Sequence, residues 1–394
     1  VHEKKQDLVV PKVGLVLTGG GARAAYQVGV LRAIAELLPD KSRNPFPVIC
    51  GTSAGAINAA SIAVSANNFA EGVAHLEDVW SNFHVNQIYR SDLGGVIHNT
   101  LRCMLSLVSS EYGQHNPISL LDNAPLEALL KNSFSFRTIQ HCIRSGSLHA
   151  LGLTAWGYTS GQSVTFYQAA REVMPWKRAQ RLGVPVEIGI EHLMASSSIP
   201  FIFPAVKLNR EFFGDGSMRQ MAPISPALHL GADKVLIIGV RKPVTSEPKR
   251  ISTSSYPPFA QIAGHALNSI FVDSLDVDLE RLLRINETLK LIPPAAFKEN
   301  NITLRPVEAM MIAPSEGINV IAQKYAYTLP WIMRSLYRAI GAMGPNGSTL
   351  LSYVLFEAPF CRHLIELGYN DTLKQKDELL KFIGVKDVVE KNSS

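Results

Sequence analysis

Apolar positions first gather in a short unbroken run, Val13 to Thr18, which ends abruptly at Gly19-Gly20-Gly21. A run of this length bounded by glycine predicts a buried strand rather than a helix. Tyr26, Val28, Val30, Leu31, Ile34, Leu37 and Leu38 then recur at helical spacing as far as Pro39, predicting an amphipathic helix that the proline terminates. A loop with Pro45 and Pro47 leads to a second short apolar strand, Val48-Ile49-Cys50. An alanine-rich helix from about Ala54 to Ala66 follows, with side chains small enough to let it lie close on a sheet. This alternation of strand and helix predicts an α/β core that begins near the N-terminus.

Further along, residues 70 to 145 read as mostly helical. Within them Val96, Ile97, Leu101, Met104, Leu105, Leu107 and Val108 form an apolar stretch. Strand patterns return at Leu151 to Thr154 and Val164 to Tyr167, with Thr159-Ser160-Gly161 between them as a hairpin turn. Strands are also predicted at Ala205 to Phe213, Lys234 to Val240 and Ala309 to Ile312. Segment 241–258, rich in Pro, Ser and Thr, reads as an exposed loop. One long helical pattern covers Phe259 to Leu291, and two more helices are expected around 325–342 and 350–368. No internal repeat is visible.

Composition narrows the classes. Of 394 residues, 46% are hydrophobic and 18% charged, which fits a folded globular chain and excludes extensive disorder. Thirty-eight basic and 33 acidic residues give a net charge of +5. No dense Lys/Arg block accompanies it, so nucleic acid is not an expected partner, while contact with anionic lipid is compatible. Cys50, Cys103, Cys142 and Cys361 are scattered without a C-x-x-C pair, a pattern of a reducing compartment with neither a disulfide framework nor a zinc site. No apolar run reaches the ~18 residues of a membrane span. The expected location is cytoplasmic or at a membrane periphery; the chain begins at Val1, which leaves secretion open. Oligomeric state is not readable.

Gly51-Thr52-Ser53-Ala54-Gly55 is the G-x-S-x-G pattern of a nucleophile elbow, placed after an apolar strand and before a small-residue helix as an elbow requires. Its alternative is an ordinary glycine turn. The run Gly19-Gly20-Gly21-Ala22-Arg23-Ala24 offers unshielded backbone N–H groups to a catalytic oxyanion. Gly19, Gly21 and Ala24 also fit a dinucleotide fingerprint, but the acidic residue wanted at the end of the second strand is absent, because the elbow stands there. A plain tight turn is the third reading. For a base, His229, His265 and His363 lie downstream and keep a triad open, although only two strands can be placed before Ser53. Phe212-Phe213-Gly214-Asp215-Gly216-Ser217 supplies a different base, an Asp freed by flanking glycines. The same residues read equally as a D-G hairpin turn.

These residues resemble the patatin-like phospholipase family, with its early G-G-G-x-R/K loop, its G-x-S-x-G and its distant D-G-G or D-G-A. The run Ala195-Ser196-Ser197-Ser198-Ile199-Pro200 through Phe203-Pro204 is similar to the A-S-x-x-x-P…F-P run that the family carries before its Asp. The resemblance covers roughly residues 10 to 240. It implies a three-layer α/β/α fold with a central, mostly parallel sheet. Residues 10–240 form the catalytic domain in this reading. Residues 241–394 form an added helical region of the bacterial type that completes the domain and covers the acyl pocket. It assigns a Ser–Asp dyad to Ser53 and Asp215, oxyanion donors to the loop Gly19, Gly20, Gly21, Ala22 and Arg23, elbow glycines to Gly51 and Gly55, and the acid motif to Gly216. Ala24 and Ser217 depart from the family pattern, each by a small side chain.

The activity so implied is a serine lipid acyl hydrolase of phospholipase A or lysophospholipase type, acting on phospholipid or another lipid ester at a membrane surface without metal or cofactor. Transfer of the acyl group to an alcohol or lysolipid, or a membrane-binding protein with an idle site, are the alternatives. An ordinary Asp is a weak base for a serine proton, so desolvation by Phe212, Phe213 and Phe203 is expected to raise the Asp215 pKa. Arg23 reads as structural and paired with a nearby carboxylate rather than with a lipid phosphate. The stretches 96–108 and 259–291 read as core packing or as a lid over the acyl pocket. Asp273, Asp276, Asp278 and Glu280 lack calcium-loop spacing and read as a solvated helix face.

Overall fold

The computed structural model describes residues 11–90, 119, 121–200, 202–243, 256–271, 273–299, 304–344 and 347–385. The apolar stretch 96–108 and most of the 241–258 loop lie outside them. In chain order the strands are β1 (Val13–Leu17), β2 (Val48–Thr52), β3 (Ala150–Gly157), β4 (Ser163–Ala169), β5 (Trp176–Arg178), β6 (Arg181–Pro185), β7 (Val206–Leu208), β8 (Glu211–Asp215), β9 (Lys234–Ile238) and β10 (Glu308–Ile312). They form one sheet with the order β10-β9-β1-β2-β3-β4-β6-β5. From β10 to β3 every pairing is parallel, whereas β4 and β8 both run antiparallel to β3.

Alternation along the central strands sends side chains into two layers. Leu15 and Leu17 of β1, with Leu236 and Ile238 of β9, join the larger core. Val16, Val235 and Ile237 face the opposite one. Strands buried on both faces must be apolar throughout, which is why VGLVL and KVLII contain no polar alternation. On the larger face lie α1 (Ala25–Leu37), α2 (Ala54–Val64) and α3 (Phe69–Ser81), with α4 (Ala124–Ser133) and α5 (Arg137–Ser145) beyond them. The short helices α6 (Ile190–Ser196) and α7 (Ser225–His229) follow in the chain. The second face is covered by α7 and by a long helix later in the chain, Asp273–Lys290, with Leu275 and Leu282 packed into it.

The chain after 240 returns to the sheet as β10 and otherwise forms helices: α8 (Phe259–Phe271), α9 (Asp273–Lys290), α10 (Pro294–Glu299), α11 (Ile318–Tyr325), α12 (Trp331–Ala339), α13 (Ser348–Val354), α14 (Ala358–Leu373) and α15 (Lys376–Phe382). The helical pattern of 259–291 thus holds α8 and α9. The helix expected over 350–368 is instead two, α13 and α14, parted at Leu355-Phe356-Glu357. Pro359 explains the restart: it lacks a backbone N–H and suits only the first turn of a helix. Likewise the strand expected over 205–213 is the β7–β8 hairpin, turned at Asn209 with φ 53°.

Candidate active site

β2 continues through Gly51 and Thr52, and α2 begins at Ala54, so Ser53 occupies the turn between them. Its φ of 56° and ψ of −131° are unusual for a side-chain-bearing residue, and such a conformation costs on the order of 1–3 kcal/mol unless neighbours impose it. Here they do. The Ser53 N–H donates to Ser196 Oγ at 3.0 Å, and that hydroxyl donates onward to the Thr154 carbonyl at 2.6 Å. The Ser53 carbonyl accepts from the Ala56 N–H at 2.8 Å and from Ser197 Oγ at 3.3 Å. A Cβ on Gly55 would strike the carbonyls of Leu17 and Thr18, so the helix can start this close to β1 only with glycine there.

Sheet register brings Asp215 beside the serine. β2 pairs with β3 as far as Thr52 opposite Thr154. One residue on, Asp215 of β8 stands opposite Ala155. With β4 along the other edge of β3, β8 takes up the edge that β2 has just left. Ser53 and Asp215 therefore meet end to end at one level of the sheet. Helix α6 and its following turn bridge the two, since the Asp215 N–H donates to the Ser198 carbonyl at 2.9 Å.

The Asp215 carboxyl is fully buried. Its Oδ1 accepts the Ser217 N–H at 2.9 Å, while Oδ2 has no hydrogen-bond partner of regular geometry. Burial pushes the pKa up to about 6, against the opposing pull of the Ser53 side chain and of Ser217. Of the three aromatic residues expected to surround it, only Phe203 lines the cleft with Ser53. Phe212 is half exposed on the opposite face of its strand, and Phe213 packs against Phe166 at 5.3 Å between ring centroids. Desolvation comes instead from enclosure by the strands and turns around Thr52, Thr154 and Ser198.

Gly21 to Ala24 form a single 3-10 turn ahead of α1. Gly21 has φ 54°, and a Cβ there would collide with the Tyr353 carbonyl. The Arg23 N–H is taken up by the Gly20 carbonyl at 3.2 Å. The N–H groups of Gly20, Gly21 and Ala22 precede that first bond, the usual position of free donors at a helix start. Gly21 and Ser53 line the same cleft.

The Arg23 side chain turns away from that cleft and is buried without a carboxylate. It donates to Ser352 Oγ at 2.8 Å, and to Asn268 Oδ1 and Tyr353 OH at 3.3 Å each. Its guanidinium lies 3.9 Å from the centre of the Tyr353 ring. The expected ion pair is thus replaced by an aromatic face and neutral oxygens, which fastens the glycine loop to α13.

From Ser53 the cleft extends between α2, α3 and α4 and is narrow and overwhelmingly apolar, with Ile57, Val79, Trp80 and Phe83 among its walls. A buried relay sets one wall: Gln27 Nε2 donates to the Thr18 carbonyl, Asn58 Nδ2 to Gln27 Oε1, and Trp80 Nε1 to Asn58 Oδ1, at 2.8, 2.9 and 2.9 Å. The sequence carried no signal for these partners, because each sits on a different helix. The downstream histidines are elsewhere. His229 stacks on Trp176 at 4.8 Å, its pKa pushed down to about 4 by burial and then by Arg178 and Arg181. His363 Nδ1 meets Tyr325 OH at 3.1 Å, and His265 is exposed. Among the described residues no three His, Cys, Asp or Glu side chains converge as a metal would require.

Over residues 15–228, more than half its length, the sequence matches the Patatin family, described as patatin-like phospholipase. No curated protein matches the chain significantly. Among solved structures, VipD from Legionella pneumophila aligns over 94% of this chain and 67% of its own, at 12% identity and a TM-score of 0.40. The chain belongs to the patatin-like phospholipase family, whose members are hydrolases of lipid esters.

Proposed function

We propose that this protein hydrolyses a lipid ester through a Ser53–Asp215 dyad. The observation that carries the reading is the sheet register that sets a buried, proton-hungry carboxylate beside a strained serine at the inner end of an apolar cleft. Ionised Asp215 takes the Ser53 proton as Oγ attacks the ester carbonyl. The oxyanion that develops faces the N–H groups of Gly20 and Gly21. As the tetrahedral species collapses, Asp215 returns the proton to the departing alcohol. Water then attacks the acyl-serine with Asp215 again as base, releasing the fatty acid. The cleft holds the acyl chain, and its dryness favours the raised carboxylate pKa on which the proton transfer depends.

The substrate is a phospholipid or a related glycerol ester met at a membrane surface. No helix among the described residues is long and apolar enough to cross a membrane. Free fatty acid release from mixed phospholipid vesicles containing EDTA, compared between wild type and Ser53→Ala, tests the reading. Release by the wild type alone is the expected result; release that survives Ser53→Ala overturns it. Adding an acceptor alcohol separates hydrolysis from acyl transfer in the same assay.

A further inference from the structure

The cleft is graded in polarity along its length. α2 and α3 form an antiparallel pair joined at residues 65–68, where Gly72 packs directly on Ser65. Counting outward from that joint aligns Ser61 with His75, Ile57 with Val79, and Ala54 with Phe83. All six line the cleft. The inner and middle levels, from Phe83 to Val79, are apolar. At the outer level Ser61 of α2 stands opposite His75 of α3, and Ser133 of α4 also lines the cleft.

Ser61 is the informative member. It is 3% exposed and makes no hydrogen bond among the described residues. Serine within a helix commonly satisfies itself on the carbonyl four residues back, as Ser133 does on Leu129 at 2.9 Å. Ser61 makes no such bond and lines the cleft. A hydroxyl without a protein partner in an otherwise apolar wall is one that an oxygen function of a ligand can satisfy. Ser133 keeps its acceptor lone pairs, and the His75 ring stands at the opening.

We propose that Ser61, with His75 and Ser133, forms a subsite for an oxygen function on the acyl chain, a hydroxyl or ketone set well along from the ester carbonyl. This rests on the reading that the acyl carbonyl sits at Ser53. Eight residues of α2 separate Ser53 from Ser61, about 12 Å along the helix axis, which an extended chain covers in roughly ten bonds. The preferred ligand class is therefore an oxygenated long-chain acyl group substituted near its tenth carbon, and plain chains bind without that contact.

Calorimetric titration of the wild-type protein with free fatty acids of one chain length, the hydroxyl moved stepwise along the chain, tests the subsite. Free acids contain no ester, so the result does not depend on Ser53 being acylated; failure of the hydrolytic reading is detected separately by ester release from Ser53→Ala. Affinity is expected to peak with the hydroxyl near the tenth carbon, about tenfold above the unsubstituted acid. Ser61→Ala, checked for folding by thermal melting, flattens the profile. A flat wild-type profile, no binding of any chain, or a peak that persists in Ser61→Ala overturns the proposal. The wild-type scan decides the matter alone if the variant does not fold.

Discussion

Ser196 holds Ser53 in its strained conformation: one hydroxyl accepts the Ser53 N–H at 3.0 Å and donates to the Thr154 carbonyl at 2.6 Å. The bond links the elbow to the strand whose next residue pairs with Asp215. The proposed nucleophile and base are thus positioned through the same neighbour, β3.

Removing that hydroxyl tests the arrangement. Ser196→Ala leaves a buried N–H and a buried carbonyl without their partner, a loss of about 1–3 kcal/mol for each group. The unfolding midpoint is expected to fall. Ester hydrolysis should show a kcat reduced at least tenfold with KM little changed, since the acyl cleft is intact while the attack geometry is not. A variant with unaltered kcat would show that the elbow keeps its conformation without Ser196.

Asp215 predicts opposite pH signatures in activity and in stability. Dyad catalysis requires the ionised carboxylate, so kcat/KM should rise through pH 6 and level off above it, following the carboxyl raised to about 6 by burial. For stability the sign reverses. The folded protein retains a proton that the unfolded chain gives up at the ordinary carboxyl pKa, so Asp215 destabilises the fold progressively as pH rises from about 4 to 6. Asp215→Asn should therefore be inactive yet more stable at neutral pH by ~3 kcal/mol, with the gain vanishing below pH ~4. Denaturant melts of both proteins across that range check the sign, and an Asn variant no more stable than wild type at neutral pH would contradict the buried-charge assignment.

Gly21 gives a steric prediction. Alanine there must adopt φ 54° and place its Cβ into the Tyr353 carbonyl. The left-handed conformation alone costs roughly 1–2 kcal/mol, and α13 must also move. Gly21→Ala should lose most activity through displacement of the proposed oxyanion loop, with a lowered melting temperature. Retained kcat would place the donors outside this loop.

The strand–turn–helix elbow was legible in the sequence because its requirements are local. A strand, a glycine-bounded serine and a small-residue helix must be contiguous for an elbow, and they are contiguous in Val48 to Val64. What it hid depends on partners remote in the chain. Nothing near Arg23 announces that Tyr353 and Ser352 will enclose it, so a carboxylate was the natural expectation. Phe212 and Phe213 alternate across β8, and only the pairing of that strand decides which faces water. The hairpin of β5 and β6 escaped because its short strands lie at the sheet edge, half exposed and without apolar alternation. The cleft itself was invisible for the same reason: its walls come from three helices and acquire a common axis only on folding.

A surface suited to lipid is predicted on α8 and α12. α8 contains no Asp, Glu, Lys or Arg from Phe259 to Phe271, yet Phe259 is 66% and Ile262 47% exposed, with Tyr256 exposed just before it. An exposed helix without charge is poorly suited to water alone. α12 adds exposed Trp331 and Arg338, with exposed Tyr327 preceding it. The two helices are joined where the Ala260 N–H donates to the Ile340 carbonyl at 3.0 Å. α8 also packs on the Gly216–Arg219 turn that follows Asp215. Aromatic side chains with arginine and no acid on either helix suit the headgroup region of an anionic bilayer. Phe259→Ser combined with Trp331→Ser should weaken binding to anionic vesicles at least tenfold, each buried aromatic contributing about 1.5–3 kcal/mol. Hydrolysis of a dispersed short-chain ester, which needs no interface, should stay at the wild-type rate. Vesicle binding should also fall as salt is raised, because Arg338 acts across solvent. Unaltered vesicle binding by the double variant would assign the docking face to another part of the molecule.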